Sequence, residues 1–274
     1  MRLATVRRGE TTRAARIDGD EAVLLDATDV VALLAHPRGW RAVAADGGER
    51  VPAATLDLAP VTPRPGKVVC VGLNYRGHID EVGETPPSFP TLFAKFATAL
   101  VGARDAIVVP PASERVDWEV ELVTVLGSPA RRVDEAAAAS AIAGFTVGND
   151  VSMRDFQGRT SQWLQGKSFD ASTPIGPYLV TVDELGTEPD LEIRCEVDGE
   201  VRQASRTGDL LFGPPALVSY ISQIMTLEPG DLVFTGTPAG VGQGRKPPVF
   251  LHPGDTVVSV VEGIGALLNP CVAG

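Results

Sequence analysis

Apolar positions fall in short β-branched runs between turn residues along most of the chain, and in a helical stripe at only two places. Lys67–Val71 and Ala106–Val109 are such runs, bounded by Gly or Pro, and Val116–Leu126 is a longer one; each predicts a strand. Leu191–Val197 and Val201–Ala204 flank Asp198-Gly199, a dipeptide suited to positive φ at both corners of a type I′ turn, which predicts a hairpin. Pro229-Gly230-Asp231 and Pro253-Gly254-Asp255 are turns that each open a further run, Leu232–Thr235 and Thr256–Val261. Asp134–Gly144 has an N-cap Asp, an alanine-rich middle and a closing Gly, and predicts a helix. Pro214–Leu227 predicts a second, with Leu217, Val218, Ile221, Ile224 and Met225 on one face.

Before Pro60 the texture differs. Residues 1–59 alternate loosely, with apolar stretches at Ala22–Leu25 and Val30–Leu34, and lead into Pro60, Pro63 and Pro65, three prolines in six residues. Such a segment is stiff and extended, so a small N-terminal domain over 1–63 and a larger one over 64–274 are expected. With 29 glycines, 22 prolines and only 5% aromatics, the body should be β-rich and packed by aliphatic side chains, an α+β protein.

A formal charge of −11 opposes partners that depend on phosphate neutralisation, so neither nucleic acid nor an anionic membrane is expected. No apolar run approaches the ~18 residues of a membrane span and no signal-type segment follows the basic N-terminus, so a cytoplasmic location is expected. Cys70, Cys195 and Cys271 form no C-x-x-C pair, and His36, His78 and His252 form no H-E-x-x-H. Serine-nucleophile signatures are likewise absent. Only four of the 24 basic residues are lysines, Lys67, Lys95, Lys167 and Lys246; in so arginine-biased a chain these are candidates for a chemical requirement.

Three stretches carry candidate chemistry. In Asp117-Trp118-Glu119-Val120-Glu121-Leu122 the period of two puts Asp117, Glu119 and Glu121 on one face. A solvated acidic face is the plain reading; the further acid Asp150, after the apolar run from Phe145 and ahead of an expected helix start, suggests instead carboxylates gathered around a hard divalent cation. Oxygen donors without Cys favour Mg²⁺ or Mn²⁺ over Zn²⁺. Second, His78 and Glu81 stand at i and i+3 of a helical turn, where the acid can orient the ring as a general base, or form an incidental surface pair. The following Gly83-Glu84-Thr85-Pro86-Pro87 has the character of a lid. Third, Arg154, Gln157 and Lys167 place cationic and amide groups shortly after Asp150. The glycine-rich Thr235–Gly244 lacks the Lys-Ser/Thr of a nucleotide loop, but its amides and hydroxyls suit a carboxylate.

In their order these stretches resemble the fumarylacetoacetate hydrolase family, in particular its small bacterial acylpyruvate hydrolases and 2-hydroxyhepta-2,4-diene-1,7-dioate isomerases. KVVCVGLNYRGHIDE, VDWEVELVTVLG, GFTVGNDVSMRDFQ, QGKSFDASTPIGP and GDLVFTGTPAGVG carry the likeness, which spans roughly residues 64–270. The resemblance implies a mixed, rolled β-sheet body, a homodimer, and a small 2-oxo acid or 1,3-dicarbonyl substrate. It makes Glu119, Glu121 and Asp150 the metal ligands, with Mg²⁺ or Mn²⁺ bound and Ca²⁺ as a structural substitute. His78, Glu81 and Lys167 become catalytic, and Arg154, Gln157 and Thr237 hold substrate. One departure concerns the larger tyrosine-pathway enzyme, whose catalytic glutamate falls where this chain has Thr256; Glu81 is the candidate for the acid that orients the histidine here. The reaction expected is hydrolysis of a C–C bond in an acylpyruvate-type or fumarylpyruvate-type substrate. Decarboxylation of oxaloacetate, isomerisation of a 2-hydroxydienoate and a non-catalytic binding role are the alternatives.

Overall fold

The structure is a computed structural model describing residues 1–274. Four strands lie before the proline segment: β1 (Arg2–Arg8), β2 (Thr11–Asp18), β3 (Glu21–Leu24) and β4 (Arg50–Pro52). The apolar stretch Val30–Leu34 is helix α1, capped by Asp29, whose side chain accepts from Ala32 N; α2 (Trp40–Ala45) follows. Next come β5 (Val68–Gly72), α3 (Arg76–Val82), β6 (Thr91–Lys95), β7 (Leu100–Val101), β8 (Ile107–Val109), β9 (Val116–Asp117) and β10 (Val120–Leu126). Helix α4 (Glu135–Ala141) leads into β11 (Ile142–Asn149), β12 (Ser152–Met153), α5 (Arg154–Gln157), α6 (Leu164–Lys167), β13 (Thr173–Thr181) and α7 (Val182–Leu185). The chain closes with β14 (Glu192–Val197), β15 (Glu200–Arg206), α8 (Pro214–Ile224), β16 (Leu232–Phe234), β17 (Thr256–Val261) and β18 (Gly265–Ala273).

Ten strands run in the order β4-β3-β2-β1-β13-β11-β10-β16-β5-β6 through one mixed sheet, and β7 pairs β13 beside that path. A second sheet has the order β15-β14-β17-β18-β8, and β12 pairs β9 in a two-stranded ribbon. The α+β expectation is met. Residues before the proline segment extend the large sheet, since β1 lies antiparallel to β13, and Leu3, Val30 and Leu33 share one apolar cluster with Val123, Val125 and Phe234. The largest cluster joins the two sheets through Trp118, Leu122, Phe145, Ile193 and Leu267, together with Leu217, Val218 and Ile221 of α8. Full burial of each such side chain contributes about 1.5–3 kcal/mol.

Several elements differ from the pattern reading. The hairpin is as expected, with Asp198 and Gly199 at φ 53° and 77° between β14 and β15. Helix α4 has its Asp134 cap but ends at Ala141; Gly144 is a strand residue, where a Cβ would meet Val180 O at 2.0 Å. Close pairing with β13, not helix termination, requires that glycine. Val116–Leu126 is not one strand: it breaks at Trp118-Glu119, because β9 turns away to pair with β12 while β10 pairs with β11 and β16. Asp150 is followed first by β12, not directly by a helix. No helix is long and apolar enough to cross a membrane.

Candidate active site

The parallel strands β5 and β16 end side by side, next to the start of β10 and the end of β11. Four chain segments therefore leave the sheet at one place, around a cleft of about 540 Å³. Its lining includes His78, Glu81, Glu119, Glu121, Arg154, Gln157, Lys167 and Thr237, eight of the nine residues singled out from the sequence. The ninth, Asp150, lies fully buried beneath them.

Glu119, Glu121 and Asp150 offer carboxylate oxygens that all lie within 4.8 Å of one another. The solvated-face reading of these acids is overturned, for none is more than 6% exposed. Asp117 is the exception to the shared face. The strand break turns it away from the other acids, and it accepts hydrogen bonds from Gly242 N (2.7 Å), Gln243 N (3.0 Å) and Arg154 Nε (2.8 Å). It anchors a loop and a guanidinium.

Buried carboxylates need partners. Lys167 Nζ donates to Glu119 Oε2 and Asp150 Oδ2, both at 2.7 Å; Lys95 Nζ reaches Asp150 Oδ1 at 2.5 Å; Arg154 Nη1 meets Glu119 Oε1 at 2.6 Å. Burial alone would raise Glu119, but Lys167 and Arg154 hold it down at about 2. Lys167 is raised despite burial, because Asp150 and Glu119 favour its charged form. Glu121 behaves oppositely: burial, then the charges of Asp150 and Glu119, push it well above the carboxylate range, and Gly236 N is its hydrogen-bond donor at 2.7 Å. Four carboxylates, Asp117 included, thus face three cations, and the one without a cation of its own is Glu121. A hard divalent cation fits this donor set of clustered, buried oxygens with one acid uncompensated.

Above this floor, α3 carries His78 and Glu81 on one face, as i and i+3 spacing requires. His78 Nδ1 lies 2.9 Å from Glu81 Oε2, leaving Nε2 with no protein partner, and Gly240 N donates to Glu81 Oε1 at 2.9 Å. Burial would raise Glu81, yet the bonds from His78 and Gly240 lower it. Four amides of the glycine-rich loop serve the protein's own acids: Gly236 donates to Glu121, Gly240 to Glu81, and Gly242 and Gln243 to Asp117. Thr237 Oγ1 donates to Val120 O and accepts from Gln203 Nε2. Gln157 Oε1 accepts from Arg154 Nη1, and Arg154 Nη2 is buried with no partner at all.

Of the four lysines, Lys95 and Lys167 belong to the cluster, whereas Lys67 pairs with Asp231 and Lys246 is exposed. Lys95 was absent from the expected site, although the rarity of lysine pointed to it. Gln203, whose Oε1 also accepts from Val120 N, ends the stretch DGEVRQ that shares the family's order, but it was given no role because it arrives from the distant β15.

Residues 67–272 match the family described as "Fumarylacetoacetate (FAA) hydrolase C-terminal". The chain is 50% identical over 217 residues to "Oxaloacetate tautomerase FAHD2A, mitochondrial" of Bos taurus, covering 78% of this chain and 69% of that one. It is 45% identical over 232 residues to "Fumarylacetoacetate hydrolase domain-containing protein 2 homolog" of Dictyostelium discoideum, covering 80% and 75%. Among solved structures, 2-hydroxyhepta-2,4-diene-1,7-dioate isomerase from Mycobacterium marinum superposes with a TM-score of 0.82 at 37% identity, over 100% of this chain and 98% of the other. A fumarylacetoacetate hydrolase from Exiguobacterium antarcticum superposes with a TM-score of 0.89 at 31% identity, over 100% of both.

Proposed function

The chain belongs to the fumarylacetoacetate hydrolase family, and from that membership and the geometry of the cleft we propose that it interconverts the keto and enol forms of a small 2-oxo acid of the oxaloacetate type. The observation that carries the reading is His78, set by Glu81 with Nε2 free, in the same cleft as the clustered acids and the unpartnered Arg154 Nη2. Relatives at 45–50% identity, several named oxaloacetate tautomerases, support it over the hydrolysis expected from the motifs.

Glu119, Glu121 and Asp150 would hold Mg²⁺ or Mn²⁺, which when bound would supply polarisation of the 2-oxo carbonyl. With its proton on Nδ1, His78 donates a hydrogen bond to Glu81 Oε2, so Nε2 is the basic nitrogen. Nε2 takes a proton from the carbon next to the carbonyl, the C–H electron pair becomes the enolate C=C bond, and the proton is returned to oxygen to give the enol. Arg154 Nη2 and the free amide of Gln157 orient the substrate carboxylate, and Thr237 lines the same cleft. Lys167, fixed between two carboxylates, keeps its charge beside the developing oxyanion.

Hydrolysis of an acylpyruvate-type C–C bond is the second reading. It is favoured by the 540 Å³ cleft, roomier than a four-carbon acid needs, and by an Nε2 equally able to take a proton from water. Enol and keto oxaloacetate, acetylpyruvate and fumarylpyruvate should be followed in the ultraviolet with Mg²⁺- or Mn²⁺-loaded protein and a metal-only control. Faster keto–enol exchange that depends on His78 is the expected result. Cleavage of the acylpyruvates without an effect on oxaloacetate would replace the proposal by the second reading, and loss of CO₂ unaffected by His78→Ala would point to a decarboxylase.

A further inference from the structure

Lys95 closes β6 with its ammonium fully buried, a costly placement that only well-matched acceptors offset. Its Nζ donates to Asp150 Oδ1 at 2.5 Å and to Val151 O at 3.2 Å. Lys167 lines the cleft and Lys95 does not, so whatever Lys95 does for the site it does through Asp150. The same arrangement recurs on the other candidate ligands. One oxygen of each acid is bound by a partner of its own: Asp150 Oδ1 by Lys95, Glu119 Oε1 by Arg154 at 2.6 Å, and Glu121 Oε2 by Gly236 N at 2.7 Å. The second oxygens of Asp150 and Glu119 share Lys167, at 2.7 Å from each.

A cation chelated by both oxygens of Asp150 would have to settle between two ammonium groups that already hold those oxygens, against their combined repulsion. A cation on one oxygen meets only the shared lysine. Ca²⁺ readily takes a carboxylate through both oxygens, whereas Mg²⁺ demands a near-ideal octahedron and few protein carboxylates. We propose that Lys95 is a positioning residue for the metal centre: by holding Asp150 Oδ1 it leaves Asp150 one oxygen for the cation, and so weights the site towards Mg²⁺ or Mn²⁺ and against Ca²⁺. The inference rests on the reading of Glu119, Glu121 and Asp150 as cation ligands and deepens it. Ca²⁺ is then a poor substitute in this site, and the residue that makes it so lies outside the cleft.

Mg²⁺, Mn²⁺ and Ca²⁺ should be titrated calorimetrically into metal-free wild type and Lys95→Met, which keeps much of the side chain's length and removes its charge and donor. Loss of one positive charge alone should tighten all three ions by a common factor. Release of Asp150 Oδ1 should in addition raise the affinity for Ca²⁺ relative to Mg²⁺ by about tenfold. An unchanged ratio overturns the role of Lys95, as does loss of all three ions from a variant that still melts cooperatively. Failure of the wild type to bind any of the ions overturns the ligand assignment itself, so the two failures are distinguishable. A second measurement does not depend on the variant folding. In wild type carrying ¹³C in its aspartate carboxyls, Mg²⁺ should widen the separation between the asymmetric and symmetric carboxylate stretches in the infrared difference spectrum, the mark of coordination through one oxygen. A narrowing, the mark of chelation through both, would sink the proposal.

Discussion

The floor of the cleft and its rim hold polar groups of one site under contrasting physical conditions. Glu119, Asp150, Lys95 and Lys167 are buried on or beside sheet strands, each charge engaged by an opposite one at 2.5–2.7 Å. His78 and Glu81 ride on the seven-residue α3, held by the bond from Gly240 N to Glu81, by bonds from Arg76 and Gly77 to Asp209 and Leu210, and by the buried Ile79, while the segment after them, from Gly83 to Pro86, is exposed. A buried charge cluster is costly to disturb but keeps its geometry, as ligands of a cation require. The short helix at the rim has no such charge cluster beneath it, and a change there is expected to cost less.

The largest expected effect follows from breaking the floor. Glu119→Ala and Asp150→Ala should each abolish turnover and stoichiometric Mg²⁺ or Mn²⁺ binding, and lower stability by about 3–5 kcal/mol, because Lys167 is left buried beside a missing partner. Metal analysis after dialysis and denaturant titration check this, and full metal content in both variants would remove the ligand assignment. On the rim, His78→Ala should lower turnover by about 10²–10⁴-fold while metal content and stability stay close to wild type. Parallel loss of metal would show that floor and rim are one structural unit.

A finer contrast concerns pH. Glu121 is raised in the folded protein, so its contribution to stability is fully present below the ordinary carboxylate value and is lost as pH rises through the raised value. Metal-free protein should therefore become more stable on mild acidification from neutral pH, and added Mg²⁺ should flatten that dependence. Glu81 has the opposite sign: lowered in the fold, it contributes above the ordinary carboxylate value, and the contribution disappears as pH falls through its depressed value. Comparing wild type with Glu81→Gln by thermal melts should show a difference near neutral pH that vanishes in acid. The smallest effect is expected at the exposed Thr85, where Thr85→Ala should change stability by no more than about 0.5 kcal/mol and leave metal binding untouched. A larger loss there would mean that the rim is anchored more firmly than its few contacts suggest.

Local pattern was enough for the strands around Lys67–Val71 and Leu232–Thr235, the hairpin at Asp198-Gly199, the cap at Asp134 and the i, i+3 pairing of His78 with Glu81, because each depends on neighbours within a few residues. The ordered motifs also identified the candidate acids, His78, Glu81 and Lys167. What the chain could not disclose locally is decided by distant partners. Asp117 leaves the face of Glu119 and Glu121 because β12 draws β9 aside, and Gly144 serves sheet pairing because β13 lies against it. Lys95 reaches Asp150 across 55 residues of sequence, and Gln203 reaches Val120 across 83. Sequence by itself determined which side chains were available and which short elements carry them, since these are set by local sterics and periodicity. Only the tertiary structure decided which charges meet, because burial and pairing energies belong to the packed sheet and not to any one segment.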